Sequence, residues 1–140
     1  MKQIVEKTIK WGDLDAIGIV FYPRYYEWID ACTHQFFDLI KLPFDTLWEK
    51  WQVLFGLVET SCKYKTPGRY HQLIHIITQI ETLTAKTITF KHTMIRAVDD
   101  AVMLTAVEQR ICMQVTDLKN IRAVDIPEEL FNVFKKTMDT

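Results

Sequence analysis

The sequence has no basic excess, no long apolar run and no secretion signal, and each absence removes a class of protein. It contains 17 basic and 18 acidic residues, for a net charge of -1. A nucleic-acid-binding domain would concentrate a basic excess on one face, so we expect no nucleic-acid partner. No apolar stretch reaches the roughly 18 to 20 residues that cross a membrane, and residues 1–6 lack the apolar core of a signal peptide.

Cysteine is also scarce, and its spacing excludes a disulfide framework. Cys32, Cys62 and Cys112 lie far apart with no Cys-x-x-Cys pair, which is typical of buried free thiols in a reducing compartment. The sequence therefore predicts a cytoplasmic protein. No cysteine pair accompanies the four histidines, and we expect neither a metal site nor a cofactor. At 140 residues, the chain is predicted to form a single domain over residues 1–140.

The period of the apolar residues predicts a strand, a long helix and four further strands. Residues 3–10 alternate as a strand, and residues 22–40 follow a helical period. Pro23 suits the first helical position, where a missing N–H costs nothing. The helix has one narrow polar stripe and is otherwise apolar, which predicts that other elements enclose it. Residues 44–51 are expected to form a short second helix.

The second half of the chain reads as consecutive strands with short turns. Strands are predicted over residues 53–65, 70–82, 86–97 and 101–115, before a short helix that Pro127 opens. Short connections imply antiparallel pairing, and the element order predicts an α+β layer architecture. In the last strand, the alternation is interpreted with Val107 and Ile111 on the apolar side and Glu108 and Arg110 on the polar side.

Residues 11–30 contain the strongest functional signal. Asp13 and Asp15 lie in a short turn flanked by glycines, directly before the long helix. The free backbone N–H groups of a helix N-terminus can stabilise a developing oxyanion, and a nearby carboxylate can act as base or nucleophile. Spacing alone would favour a turn aspartate with an Asx hydrogen bond for Asp15. Asp13 is expected to be a structural turn residue.

The pattern Asp-x-Asp-x-x-Gly-Ile-Val-x-Tyr-Pro-x-Tyr at residues 13–25, followed by an aromatic helix, resembles the 4-hydroxybenzoyl-CoA thioesterase family of the hotdog fold. Later segments resemble that family in the same order: Tyr64-x-x-Pro67, Phe90-x-His92 and Arg122-x-x-x-Ile126-Pro127. The resemblance implies a hotdog fold, with a five-stranded antiparallel sheet wrapped around the central helix. It also implies a homodimer or homotetramer (a dimer of dimers) whose sheets join edge to edge, with active sites at the subunit interface.

The resemblance also implies roles for particular residues. Asp15 corresponds to the catalytic carboxylate, and the backbone N–H of Tyr22 to the donor that polarises the thioester carbonyl. Gly18 most simply supplies a positive φ or a close approach to substrate. The family usually has an aspartate where this chain has His71, which brings local packing or oligomer contacts into question more than chemistry.

Substrate contacts outside the turn follow less directly. Asp30 lies on the polar stripe of the helix, where a solvated or structural carboxylate is favoured over contact with the acyl group. Coenzyme A carries phosphates, so basic residues are expected near the cleft, and Lys86, Lys119 and Arg122 are the candidates. Each of the three could equally be an ordinary surface charge, although the place of Arg122 in the closing segment favours it as a phosphate contact. His75 and His92 fall in predicted strands and are expected to be cross-strand or interface residues.

The resulting prediction is an acyl-CoA thioesterase that hydrolyses a short-chain or aromatic acyl-CoA to free acid and CoA without a cofactor. A hotdog hydratase or dehydratase is one alternative, but such enzymes typically pair a histidine with an acid, and this turn has no histidine. A non-catalytic acyl-CoA-binding module is another, but it would not need Asp15. Spacing rules do not identify the acyl chain.

Overall fold

The computed structural model describes all 140 residues, in which one antiparallel sheet packs against a central helix. The strands are β1 (Gln3–Thr8), β2 (Val53–Tyr64), β3 (Leu73–Leu83), β4 (Thr87–Arg96), β5 (Val102–Val115) and β6 (Ile121–Ala123). The helices are α1 (Pro23–Leu39), α2 (Phe44–Trp51) and α3 (Glu128–Asp139), and a single 3₁₀ turn covers Trp11–Asp13. No helix combines the length and apolar character needed to cross a membrane.

The sheet has the order β1-β3-β4-β5-β2, and β6 adds to the far end of β5. All pairings are antiparallel. The 12-residue strand β2 pairs only with β5, so its other edge is free within the chain. Leu57 and Val58, near the middle of β2, are more than half exposed. A long edge strand with exposed apolar residues is a surface that proteins usually pair or protect.

Helix α1 crosses the sheet and divides the core into two parts. Its buried residues recur every three or four positions, as expected for one helical face: Tyr25, Trp28, Ile29, Cys32, Thr33, Phe36 and Phe37. Around its second half, Phe36 and Phe37 pack with Phe55, Phe90 and Phe134. Around its first half, aliphatic side chains of β3 and β5 complete a second cluster. The sheet thus covers one face of α1 within the chain, and the opposite face stays exposed.

Three predictions about elements need correction. β6, a sixth strand, was not predicted, because three residues are too few to show a period. The closing helix is longer than expected, at 12 residues. The predicted faces of β5 are wrong near its centre, because Glu108 and Arg110 lie on the buried side with Leu104, Ala106 and Cys112. Val107, expected on the buried side, is 39% exposed.

Candidate active site

Asp13 fixes the start of the turn that precedes α1. Its Oδ2 accepts a hydrogen bond from the Lys10 N–H at 2.9 Å, and its backbone carbonyl accepts one from the Phe21 N–H at 2.8 Å. Its Oδ1 lies 4.0 Å from Nε of Arg24, in the first turn of α1. Asp13 therefore joins the two ends of the turn to the helix, which is a structural role.

Asp15 makes an Asx turn with only one of its carboxylate oxygens. Oδ1 accepts hydrogen bonds from the Ile17 N–H at 2.9 Å and the Ile19 N–H at 3.4 Å. The other oxygen, Oδ2, makes no hydrogen bond within the chain. Asp15 can therefore be a turn residue and a reactive carboxylate at once, because Oδ1 makes the turn hydrogen bonds and Oδ2 stays available.

Gly18 is required by the backbone of this turn. Its φ is +81°, in the left-handed region that glycine adopts without strain. A Cβ built on Gly18 would have no other atom within 4 Å. Within the chain, the need for glycine is therefore conformational and does not come from close packing.

The backbone N–H of Tyr22 is a free donor at the start of α1. Tyr22 occupies the N-cap position, and Pro23 follows it. The Tyr22 carbonyl accepts the Tyr25 N–H at 3.1 Å, whereas the Tyr22 N–H donates to no group in the chain. The phenol side chain is well exposed, at 60%. Unsatisfied N–H groups and the helix dipole make this a favourable position for negative charge.

A cavity of about 450 Å³ brings Asp15 and Tyr22 together. Its other walls are Ile19 and Val20, the buried aromatic ring of Tyr25, and the segment from Tyr64, the last residue of β2, to Pro67. The hydroxyl of Tyr25 accepts a hydrogen bond from the Gly68 N–H at 3.0 Å, which ties α1 to this segment. Partial desolvation, together with the neighbouring Tyr26 and Cys62, raises the pKa of Tyr64. We call this space the Asp15 cavity.

A second cavity, of about 430 Å³, lies beside the other half of α1. Its walls are mainly apolar and come from α1, α2 and the start of β2, and Arg110 and His34 are among its polar residues. Because a helix rises about 1.5 Å per residue, His34 lies roughly 18 Å along α1 from Tyr22. We call this space the apolar cavity. In one chain, the two cavities lie at opposite ends of β2.

A buried charged cluster borders the apolar cavity. Nε of Arg110 donates to Oε1 of Glu108 at 2.9 Å, and Nη2 of Arg110 donates to Oδ1 of Asp30 at 2.6 Å. Nη1 of Arg110 donates to the Phe55 carbonyl at 3.1 Å. The Thr33 hydroxyl donates to the same Glu108 oxygen at 2.6 Å. The side chains of Glu108 and Arg110 are 2% and 6% exposed, whereas that of Asp30 is half exposed.

His92 extends this cluster as a neutral ring. Its Nδ1 lies 2.9 Å from the Thr78 hydroxyl and its Nε2 lies 3.4 Å from the Thr33 hydroxyl. Because Thr33 gives its proton to Glu108, it accepts from Nε2–H of His92, and Nδ1 then accepts from Thr78. Burial, together with the charge of Arg110, lowers the pKa of His92 to about 3. His92 is therefore a buried neutral residue of β4.

The basic candidates lie at the end of the sheet remote from the Asp15 cavity. Nζ of Lys86 is 2.9 Å from Oδ1 of Asp125, and Nη2 of Arg122 donates to Oε1 of Gln114 at 2.9 Å. Lys119 and Arg122 line a separate pocket after β5. The Asp15 cavity adjoins the start of β5, whereas these basic residues lie near its end. At about 3.3 Å per residue, the two ends are roughly 36 Å apart along the strand. The structure does not bring these residues together with Asp15 within one chain.

The remaining histidines and the cysteines form no catalytic group. His75 pairs with Glu6 on the neighbouring strand at 3.0 Å, and His71 stacks on Tyr70 in the preceding loop. Although four residues apart in sequence, these two histidines lie on a loop and a strand and not on one helical face. Burial raises the pKa of Cys32 and of Cys112 to about 11. Both are buried as predicted. Cys62, also predicted to be buried, is only half-buried.

The sequence alone did not identify Glu108 and Arg110 as site residues. Both faces of β5 carry apolar residues, so the alternation did not identify the buried one. A usable signal was the run Leu104, Ala106 and Cys112, which shares its parity with the two charged residues. Charged residues on a buried strand face break the hydrophobic pattern, and such breaks often mark functional sites.

Comparisons with known proteins agree with this geometry. The family model described as the Thioesterase-like superfamily matches residues 9–134. The 4-hydroxybenzoyl-CoA thioesterase of Pseudomonas sp. (strain CBS-3) is 28% identical over 133 residues, covering 89% of this chain and 92% of that protein. A solved gentisyl-coenzyme A thioesterase has a TM-score of 0.77 and 30% identity, covering 90% of this chain and 97% of that chain. The solved structure of the Pseudomonas enzyme has a TM-score of 0.84 and 23% identity, with coverage of 94% and 98%.

The family match spans nearly all of the sheet and helices that form the two cavities. The likeness to solved structures extends over the same elements and includes the helix that crosses the sheet. The resemblance seen in the residues of the turn is thereby confirmed. The chain belongs to the Thioesterase-like superfamily and has the hotdog fold.

Proposed function

We propose that the protein is an acyl-CoA thioesterase that hydrolyses a short-chain or aromatic acyl-CoA to the free acid and CoA. One observation carries the proposal: the Asp15 cavity holds a carboxylate oxygen and a backbone N–H that are both free of partners within the chain. Two relatives are a 4-hydroxybenzoyl-CoA thioesterase and a gentisyl-coenzyme A thioesterase, which favours an aromatic acyl group.

The free N–H of Tyr22 supports a role in stabilising the oxyanion. A thioester carbonyl placed at the start of α1 accepts this N–H, and the helix dipole favours the negative charge that develops on its oxygen. A single donor of this kind contributes about 3 to 4 kcal/mol to catalysis in other hydrolases. Gly18 and Asp13 hold the turn so that the donor and the carboxylate face the same space.

Asp15 acts on the same carbonyl by one of two routes. As a nucleophile, its free oxygen adds to the carbonyl carbon and expels the CoA thiolate, and water then hydrolyses the mixed anhydride. As a general base, it takes a proton from water, whose oxygen adds to the carbonyl before the thiolate leaves. Both routes give the carboxylic acid and CoA and need no further reactant.

The free edge of β2 supports an assembly in which the two cavities complete each other. An antiparallel pairing of two β2 strands sets the end of one strand beside the start of the other. The Asp15 cavity adjoins the end of β2, and the apolar cavity adjoins its start. In such a dimer the Asp15 cavity of one subunit meets the apolar cavity of its partner. A tetramer would join two such dimers.

In the proposed dimer, the two ends of the substrate have separate binding regions. The acyl group occupies the apolar cavity, where Asp30 stands at the border. The end of the sheet that carries Lys86, Lys119 and Arg122 approaches the Asp15 cavity of the other subunit. These cations then lie near the CoA phosphates, which basic side chains hold by charge-assisted hydrogen bonds.

Turnover of a panel of acyl-CoA thioesters, from acetyl to palmitoyl and benzoyl, tests this function. Asp15→Asn nearly preserves the shape of the turn, so kcat should fall by roughly 10² or more while acyl-CoA binding survives. Asp13→Asn is the matched control and should act mainly on stability. Near-wild-type kcat for Asp15→Asn would overturn the assignment, and binding without turnover in the wild type would favour the acyl-CoA-binding module. The turn that carries Asp15 contains no histidine, which disfavours the hydratase alternative.

A further inference from the structure

The buried ion pair of Glu108 and Arg110 on β5 costs desolvation free energy. Each takes the place of an apolar residue in a strand whose neighbouring inward positions are Leu104, Ala106 and Cys112. Removing two charges from water costs several kcal/mol per ion, and a well-packed apolar pair is often at least as stable. Stability of the fold alone therefore gives no reason for this pair.

The guanidinium of Arg110 connects the two walls of the apolar cavity. One amino group holds the Asp30 carboxylate of α1 at 2.6 Å, and the other holds the Phe55 carbonyl of β2 at 3.1 Å. Arg110 itself lines the cavity. A planar guanidinium with fixed donor directions orients a carboxylate more strictly than a flexible ammonium does. Arg110 thus determines where the Asp30 carboxylate stands.

Glu108 in turn fixes Arg110. Oε1 of Glu108 accepts a hydrogen bond from Nε–H of Arg110 and another from the hydroxyl of Thr33 on α1. The side chain of Glu108 is 2% exposed, so few other orientations are open to it. Thr33 and Glu108 in the core thus orient Arg110, and Arg110 orients Asp30 at the cavity border.

From this arrangement we infer that Arg110, held by Glu108, is a positioning residue that sets acyl-group specificity by orienting Asp30 at the border of the apolar cavity. The inference rests on the proposed function, because it takes this cavity as the acyl site. Arg110 carries one positive charge, and Glu108 and Asp30 carry two negative charges. Asp38 and Asp45 also line the cavity, so negative charge is in excess even when His34, 3.6 Å from Asp30, is counted as a cation. The cavity therefore favours an acyl ring that carries a hydrogen-bond donor and disfavours one that carries a carboxylate.

The test compares benzoyl-CoA with its 4-hydroxy and 4-carboxy derivatives. In the Arg110→Met variant, the preference in kcat/KM for the hydroxylated over the unsubstituted ring should fall about tenfold, as expected when a hydrogen bond to a charged group is disordered. The kcat/KM for benzoyl-CoA should fall less than that for the hydroxylated substrate, because the unsubstituted ring makes no hydrogen bond to Asp30. The rejection of the 4-carboxy substrate should strengthen in this variant, because loss of the Arg110 charge leaves the carboxylates of Glu108 and Asp30 uncompensated.

Controls separate positioning from general damage. Arg110→Met leaves Glu108 buried without its partner, so the double variant Glu108→Gln/Arg110→Met removes both charges and keeps the test interpretable if the single variant unfolds. Arg96→Met deletes a partly exposed arginine that is paired with Asp99 and should leave all three substrates unaffected. Combining Arg110→Met with Asp30→Asn should add nothing to the larger single effect on selectivity, because both act on one contact.

An equal loss on the hydroxylated and unsubstituted substrates would overturn the inference, as would additive effects of the Arg110 and Asp30 variants. Binding of the three acyl-CoA compounds to the Asp15→Asn protein, measured by calorimetry, separates the inference from the proposed function. If the wild type hydrolyses nothing but these affinities show the selectivity and its loss, the proposed hydrolysis fails and the positioning role stands. If turnover is present without this selectivity, the positioning role fails alone.

Discussion

The neutrality of His92 makes the stability of the protein depend on pH in a calculable way. His92 is fully buried between Thr78 and Thr33, and burial together with Arg110 lowers its pKa from 6.5 to about 3. The charged residues of the same cluster are Glu108, Arg110 and Asp30. A proton on His92 would place a second cation beside Arg110 and would disrupt a hydrogen bond in which the ring accepts.

The sign follows from which state binds the proton. Below pH of about 6.5 the unfolded chain protonates His92, whereas the folded protein does so only near pH 3. Between these values the unfolded state holds the extra proton, so stability is greatest above pH 6.5 and falls as the pH is lowered. The slope is about 1.4 kcal/mol per pH unit. From pH 7.5 to pH 4.5, His92 alone should remove about 3 kcal/mol from the free energy of unfolding.

Urea unfolding of the wild type and His92→Gln at pH values from 4.5 to 7.5 measures this contribution. Glutamine retains one donor and one acceptor for Thr33 and Thr78 but does not titrate. The wild type should lose about 3 kcal/mol more than the variant over this range, while the titration of carboxylates affects both proteins alike. Parallel curves for the two proteins would refute the buried neutral histidine and the hydrogen-bond directions derived from it.

Two further predictions concern assembly and the nucleotide end of the substrate. Light scattering should give a dimer or tetramer at micromolar concentration, and Leu57→Lys on the exposed edge strand should weaken association, whereas Leu118→Lys, in an exposed loop, should not; a fully active monomer would contradict the shared site. Arg122→Ala should raise KM for an acyl-CoA and change kcat little, because a phosphate contact serves ground and transition states equally. Its effect should shrink for an acyl-pantetheine, which has no nucleotide, and an equal effect on both substrates would assign Arg122 to the fold.

The sequence predicted long elements well because their periods persist. The strand expected at residues 53–65 is Val53–Tyr64, and the helix expected at 22–40 is Pro23–Leu39. The short helix at residues 44–51 has the predicted bounds. β6 could not be foreseen, since its three residues are ordered only by pairing with the end of β5.

The site was predictable only in part. The spacing of Asp15, Gly18 and Tyr22 located the turn, but it did not reveal that one oxygen of Asp15 completes an Asx turn while the other stays free. The faces of β5 depended on tertiary packing, because residues of either parity are apolar there. The separation of Asp15 from Arg122 also required the sheet order, which sequence periods do not contain.

The two cavities lie at opposite ends of the same strand, and this has a genetic consequence. In the proposed dimer each complete site takes its carboxylate from one chain and its acyl pocket from the other. A chain damaged at Asp15 and a chain damaged at the apolar cavity would, when paired, form one site with both defects and one with none. Activity would then be a property of the pair, and two inactive alleles could complement each other.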